Sequence, residues 1–254
     1  MAGVVTPATS RLPPPRPVAS PATRAVWNDG GVNYILWDVD GTLVFNGKDA
    51  GNLYHQAVEL TIGRELANPL PNMHGKTDGR VLTETLAAHS LDAGLHGAAS
   101  AQLDALSLAR HEAGSHRQLC PGVPELLAAT DAAGWTNSLL TGNSGNRSRY
   151  KLTGAGLPPE TFDWEHSYFG NVTPVRSDLT VQARAELDGA LVIIGDTPRD
   201  DEAAIVAGIP FIGVATGAFS TDELRATGAI LVVDDLESGH DAVLAALASL
   251  VPVA

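Results

Sequence analysis

Three short stretches of the chain gather side chains whose types and spacing can do chemistry. Asp38-Val39-Asp40-Gly41-Thr42-Leu43 sets two carboxylates two residues apart, a spacing that a regular strand turns to one face. Two adjacent carboxylates repel, so ionising both requires a cation or a shared proton. Gly195-Asp196-Thr197-Pro198-Arg199-Asp200-Asp201 adds Asp196 as a third acid. Oxygen donors without His or Cys suit Mg²⁺, which takes few carboxylates and keeps several waters. The third stretch, Leu140-Thr141-Gly142-Asn143, offers a hydroxyl and free backbone N–H groups at a helix start, with a glycine that lets an anion come close. Carboxylates, Mg²⁺ and a phosphate cradle together imply phosphoryl chemistry.

Such groups work only if the chain delivers them to one place. The first stretch ends a short apolar run beginning at Tyr34, and similar runs occupy Trp135 to Thr141, Leu191 to Asp196, Pro210 to Ala215 and Ala229 to Val233. Each reads as a buried strand. Helical segments lie between them. Pro124 and Glu125 suit a first turn, Leu126 and Leu127 an apolar face and Gly134 a stop, while Ser144 to Leu152 ends at Gly154 and Asp200 to Ala207 at Gly208. Alternating strands and helices predict an α/β fold with a mostly parallel sheet flanked by helices, whose ligand crevice lies beyond the carboxyl ends of the strands. Residues 49–119 interrupt the alternation: Leu53, Ala57 and Leu60, then Val81, Leu82 and Leu86, then Leu103, Leu106 and Leu108 recur at helical spacing with no convincing strand. The expected organisation is a core domain of residues 31–48 and 120–254, with an all-helical insertion of residues 49–119 placed after the first strand.

Composition narrows the partners. The 254 residues carry a formal net charge of -13, which repels phosphate backbones and anionic membranes and speaks against nucleic-acid and lipid-surface binding. No apolar run approaches the roughly 18–20 residues that span a bilayer. The single Cys120 forms no intrachain disulfide, in keeping with a reducing cytoplasm. Residues 1–30 are rich in proline and lack apolar periodicity, and they are expected to be a disordered tail, a transit peptide being the alternative.

DVDGT, LLTGN, a following lysine and GDTPRD, in that order, resemble the four signature motifs of haloacid dehalogenase-like (HAD) phosphohydrolases over about residues 33–233. The resemblance is to the phosphoglycolate phosphatase-like branch with a helical cap, and it implies a Rossmann-like core with residues 49–119 as the cap. It further implies that Asp38 is the nucleophile, forming an aspartyl-phosphate, and that Asp40 is general acid and then base. Mg²⁺ would be held by the carboxylates of Asp38 and Asp196 and the backbone carbonyl of Asp40. Asp200 would orient metal waters or the lysine, and Thr141 with the backbone of Gly142 and Asn143 would hold phosphoryl oxygens. Many members place the lysine in a Lys-Pro-Asp sequence before the last motif; here that stretch reads Arg176-Ser177-Asp178. Lys151 is therefore the expected phosphate-binding cation, with Arg176 as its understudy or a second phosphate contact. In the turn His74-Gly75-Lys76-Thr77-Asp78, Lys76, together with Arg80, would contact substrate from the cap.

Simpler roles compete at several positions. Asp200 or Asp201 could serve only as a helix N-cap. Gly75-Lys76-Thr77 ends like a P-loop, yet the required first glycine falls at Leu70. His111 and His116 are five apart, so on a helix they diverge and read as solvated residues; Cys120 reads as a small core residue. The expected activity is Mg²⁺-dependent hydrolysis of a small soluble phosphate, of phosphoglycolate or sugar-phosphate type. The alternatives are a phosphomutase and a non-catalytic regulator that binds a phosphorylated ligand.

Overall fold

The computed structural model describes residues 31–47, 50–67 and 75–251. The expected tail of residues 1–30, Lys48 and His74 lie outside the described residues. Six parallel strands form one sheet: β1 (Asn33–Trp37), β2 (Trp135–Thr141), β3 (Asp163–Phe169), β4 (Leu191–Gly195), β5 (Phe211–Val214) and β6 (Leu231–Val233), in the order β3-β2-β1-β4-β5-β6. The helices are α1 (Ala50–Ile62), α2 (Asp78–Ala88), α3 (His96–Glu112), α4 (Val123–Ala132), α5 (Gly145–Gly154), α6 (Arg176–Glu186), α7 (Pro198–Ala207), α8 (Thr221–Arg225) and α9 (His240–Leu250).

β1 shows why the sheet is buried on both faces. Ile35 and Trp37 enter one cluster with Val192, Ile194, Leu126 of α4 and Val243 of α9, whereas Tyr34 and Leu36 enter the opposite cluster with Ile193, Leu179 of α6 and Ala204 of α7. The two-residue alternation of a strand sends its apolar side chains to both layers, so a continuous apolar run is what the sequence needs there. Even the polar group within this core is satisfied, because the Trp37 indole and the Thr130 hydroxyl both donate to Asn137 Oδ1 at 2.9 and 3.0 Å.

The sequence runs foretell every strand but β3. Its Asp-Trp-Glu-His-Ser-Tyr-Phe composition carries no continuous apolar signal, because β3 is an edge strand that is mostly half-buried and pairs with β2 through an irregular register. Between β1 and β2, α1, α2 and α3 pack around their own cluster of Leu53, Ala57, Val81, Leu82, Leu86 and Leu103. Two expected members do not join it: Leu60 and Leu108 are exposed, since their positions fall beside the buried stripe of each helix. Gly154 is likewise not the terminating glycine of α5. It lies in the last turn, where a Cβ would come 2.9 Å from His116 Cδ2, and Gly156 at φ +96° makes the left-handed exit.

Candidate active site

The parallel register brings the three motifs together. Trp37 pairs with Leu139 on one side and Ile194 on the other, so the residues following β1, β2 and β4 leave the sheet at the same edge. Asp38 follows β1, Thr141 ends β2 and Asp196 follows β4; all three are buried.

One carboxylate oxygen from each of Asp38, Asp196 and Asp200 lies within 4.8 Å of the others. Asp200 reaches the cluster from the first turn of α7, where its Oδ2 accepts from the Thr197 amide at 3.0 Å and the Thr197 hydroxyl at 2.9 Å. Crowding raises the acids. Burial pushes Asp38 up to about 7, with Asp200 and Asp40 adding to the rise and Arg176 opposing it. Burial, then Asp38 and Asp200, lift Asp196 well above the usual carboxylate range. Asp196 Oδ1 is buried without a hydrogen-bond partner. An all-carboxylate cluster with an unpartnered buried oxygen has the donor chemistry of a hard divalent cation. The backbone is shaped around it as well: a Cβ on Gly217 would fall 1.6 Å from Asp196 Oδ2, and one on Gly41 2.2 Å from the same atom.

Arg176 opens α6 and points its guanidinium into the cluster. Nη2 donates to Asp38 Oδ1 at 2.7 Å and to the Leu140 carbonyl at 3.2 Å, and lies 2.5 Å from Asp200 Oδ1. Lys151, on α5, instead pairs with Asp40 and donates to Asn143 Oδ1 at 2.7 Å. Asn143 Nδ2 in turn donates to Asp40 Oδ2 at 2.7 Å and to Thr141 Oγ1 at 2.9 Å. Burial alone would raise Asp40, but Lys151 and Asn143 bring it down to about 2. The cation on Asp38 is thus Arg176, because the N-terminus of α6 lies beside the β1 and β2 ends, while Lys151 takes Asp40. Asp200 is the partner of Arg176 and not of the lysine.

The turn before α2 also reaches this edge. Asp78 N donates to the Gly142 carbonyl at 2.7 Å and Gly79 N to the Gly170 carbonyl at 2.9 Å. A Cβ on Gly142 would meet the Lys76 carbonyl at 2.6 Å, so the close approach that needs this glycine is made by the turn. Lys76 and Arg80 both bind Glu84, at 2.6 and 2.8 Å. They line a cavity of about 240 Å³ with Arg176 and Arg199, and they touch none of the clustered acids.

Sequence reading missed a buried group beneath the turn. Arg147 of α5 pairs with Asp78, the first residue of α2, and donates to the Tyr54 hydroxyl at 3.1 Å; Tyr54 donates to Asp78 Oδ1 at 2.6 Å, and Ser144 N to Asp78 Oδ2 at 3.0 Å. Only the apolar surroundings of Tyr54 hinted that it faced inward. His111 and His116 do not diverge, because α3 ends at Glu112 and the chain folds back to leave their rings 5.3 Å apart.

A HAD-hydrolase-like family model matches residues 177–239. No curated protein matches the sequence. Solved structures with a similar fold include a hydrolase from Pseudomonas syringae, with TM-score 0.63 and 18% identity over 87% of this chain and 100% of that one. A HAD hydrolase of family IA, variant 3, from Entamoeba histolytica gives 0.62 and 19% over 82% and 95%. CbbY from Rhodobacter sphaeroides, in complex with phosphate, gives 0.62 and 22% over 82% and 96%.

Proposed function

We propose that this chain, whose fold is haloacid dehalogenase-like, is a Mg²⁺-dependent phosphomonoesterase acting on a small phosphorylated metabolite. The observation that carries the reading is the meeting of Asp38, Asp196 and Asp200 at the carboxyl ends of parallel strands, beside Arg176, with an unpartnered oxygen on Asp196. The carboxylates of Asp38 and Asp196 and the carbonyl of Asp40 would hold Mg²⁺, which when bound offsets the mutual repulsion of the acids and draws charge from phosphoryl oxygens.

The remaining work falls to the chain. An Asp38 carboxylate oxygen forms a bond to phosphorus as the ester P–O bond breaks, giving an aspartyl-phosphate that water then hydrolyses. Arg176, already on Asp38, would take up charge on the phosphoryl oxygens, together with the Thr141 hydroxyl and the Gly142 and Asn143 amides. Asp40, held ionised by Lys151, is set as the base for that water. Its earlier role as acid to the leaving alcohol requires the Lys151 ammonium to turn toward the phosphoryl group, which frees Asp40 to carry a proton. Residues 49–119 act as a cap over the core, the contacts of Asp78 and Gly79 with the 142 and 170 carbonyls supporting that role. No helix among the described residues is long and apolar enough to cross a membrane, and a cytoplasmic setting belongs to the same reading.

The test is hydrolysis of para-nitrophenyl phosphate by the purified chain with Mg²⁺. Activity should vanish with a chelator, and Asp38→Asn should abolish both turnover and the phosphoenzyme. A chelator-insensitive rate of equal size removes the metal, and retained turnover in Asp38→Asn removes the nucleophile.

A further inference from the structure

A second cavity, of about 80 Å³, lies between the C-terminal part of α3, the loop that follows it, and α5. Arg110, Arg117, Arg147 and Lys151 line it, with Ser107 and Tyr150, and among the described residues no Asp or Glu does. In a chain of net charge -13, four cations around one small space with no acid among its described lining residues is a local reversal of sign.

Two of these cations are already spent. Arg147 is paired with Asp78 and Lys151 with Asp40. Arg110 and Arg117 are half-buried and have no carboxylate partner among the described residues. His111 Nδ1, on the same wall, is buried with no hydrogen-bond partner among the described residues. The cavity exceeds several-fold the roughly 10–15 Å³ that admits one water, which leaves room for a carboxylate or phosphate group. It also adjoins the reactive carboxylates: Lys151 is a common wall, and a Cβ on Gly47, in the loop after Asp40, would fall 1.0 Å from Arg117 Nη1. The cavity beside Lys76 is less suited to an anion, because Lys76 and Arg80 are bound by Glu84, Arg176 is held by Asp38 and Asp200, and Glu202 lines the wall.

We propose that the cavity between α3 and α5 holds a second anionic group, a carboxylate or a phosphate, of the same small molecule whose phosphoryl group sits at Asp38. Arg110 and Arg117 are its specificity-determining residues. The inference rests on the phosphomonoesterase reading for the position of the first group, and it narrows the substrate class to phosphate esters that carry a second negative charge.

Binding calorimetry on Asp38→Asn with Mg²⁺ tests it apart from turnover. The probes are phosphoglycerate and glycerol phosphate, which share a carbon skeleton and differ in a carboxylate against a hydroxymethyl group. Phosphoglycerate should bind about tenfold or more tightly, as a charge-assisted contact implies, and Arg110→Ala and Arg117→Ala should each shrink that ratio while Arg199→Ala preserves it. Equal affinities, or a ratio that survives both substitutions, overturn the proposal. Loss of the ratio only in Arg199→Ala moves the second group to the other cavity and overturns it too. A site for a separate effector would show Arg110-dependent binding of free sulfate with no preference between the probes, which refutes the linked-group assignment. Failure of the phosphatase reading registers elsewhere, as absent turnover by the unsubstituted protein.

Discussion

Asp78→Ala should be among the most damaging single substitutions outside the reactive cluster. Asp78 and Arg147 have side chains only 2% exposed. Burial alone would make the guanidinium easier to deprotonate, but the Asp78 carboxylate and Tyr54 hold it protonated above its ordinary range. Removing the carboxylate leaves that cation in the interior with only the Tyr54 and Ser107 hydroxyls. It also strips the acceptor from the Tyr54 hydroxyl and from Ser144 N. Breaking a buried pair from one side costs about 3–5 kcal/mol. Urea unfolding at neutral pH should therefore show an unfolding free energy lower by that amount, read as a lower midpoint at unchanged slope. Asp78→Leu combined with Arg147→Met removes both charges at similar volume and should recover most of the loss, so the coupling energy in the double-mutant cycle of these two changes should reach about 3 kcal/mol or more. A loss below about 1 kcal/mol for Asp78→Ala, or strict additivity of the two changes, would show that the pair does not hold α2 to α5. Because Ser144 follows Asn143 directly, the single variant should also lower kcat/KM on para-nitrophenyl phosphate.

Three further outcomes follow from the geometry. Arg176→Ala should lower phosphoenzyme formation by about 10²–10³-fold, the usual loss for a group that stabilises transition-state charge, and more than Lys151→Ala does; the reverse order in single-turnover quench experiments would return the phosphate-binding role to Lys151. Gly217→Ala places a methyl 1.6 Å from Asp196 Oδ2, so the Mg²⁺ concentration for half activity should rise about 10–100-fold, and an unchanged Mg²⁺ titration refutes the role of Asp196. Cys120 is an acid raised by burial from 9.0 to about 11: the unfolded chain ionises first, so the protonated thiol's contribution to stability is full below pH 9 and is lost as pH rises through 11. Its reaction with a disulfide reagent at pH 8 should be far slower in the folded protein than in urea, and equal rates would refute the assignment.

The contrast between what was legible in the sequence and what was not has a physical origin. β1, β4 and β5 announce themselves because burial on two faces demands apolar runs, β2 through the apolar residues around Thr136, Asn137 and Ser138 and β6 through Leu231-Val232-Val233, and Asp38, Thr141 and Asp196 are legible because each sits where such a run stops. β3, an edge strand like β6, pairs with β2 through a shifted register and carries Asp163, Glu165, His166 and Ser167 among its seven residues, which masks its apolar positions. The helices of residues 50–112 were readable as helices from their spacing, but not residue by residue, since Leu60 and Leu108 match the period and still face solvent.

Long-range polar partners are harder, because nothing local in the sequence encodes them. Arg176 meets Asp38 across 138 residues and Lys151 meets Asp40 across 111, and which cation takes which acid is settled by where the first turn of α6 and the last turn of α5 fall against the sheet. The same applies to Arg110 and Arg117, which line one cavity with Lys151 and with no acid among the described residues. In so acidic a protein an anionic ligand gains most where cations outnumber the acids that could neutralise them. At the strand ends Arg176 and Lys151 are each already engaged by a carboxylate, so a phosphoryl group must compete for them or bring Mg²⁺ with it. In the adjoining cavity Arg110 and Arg117 are committed to no carboxylate among the described residues, and it is there that a second negative charge meets the least competition.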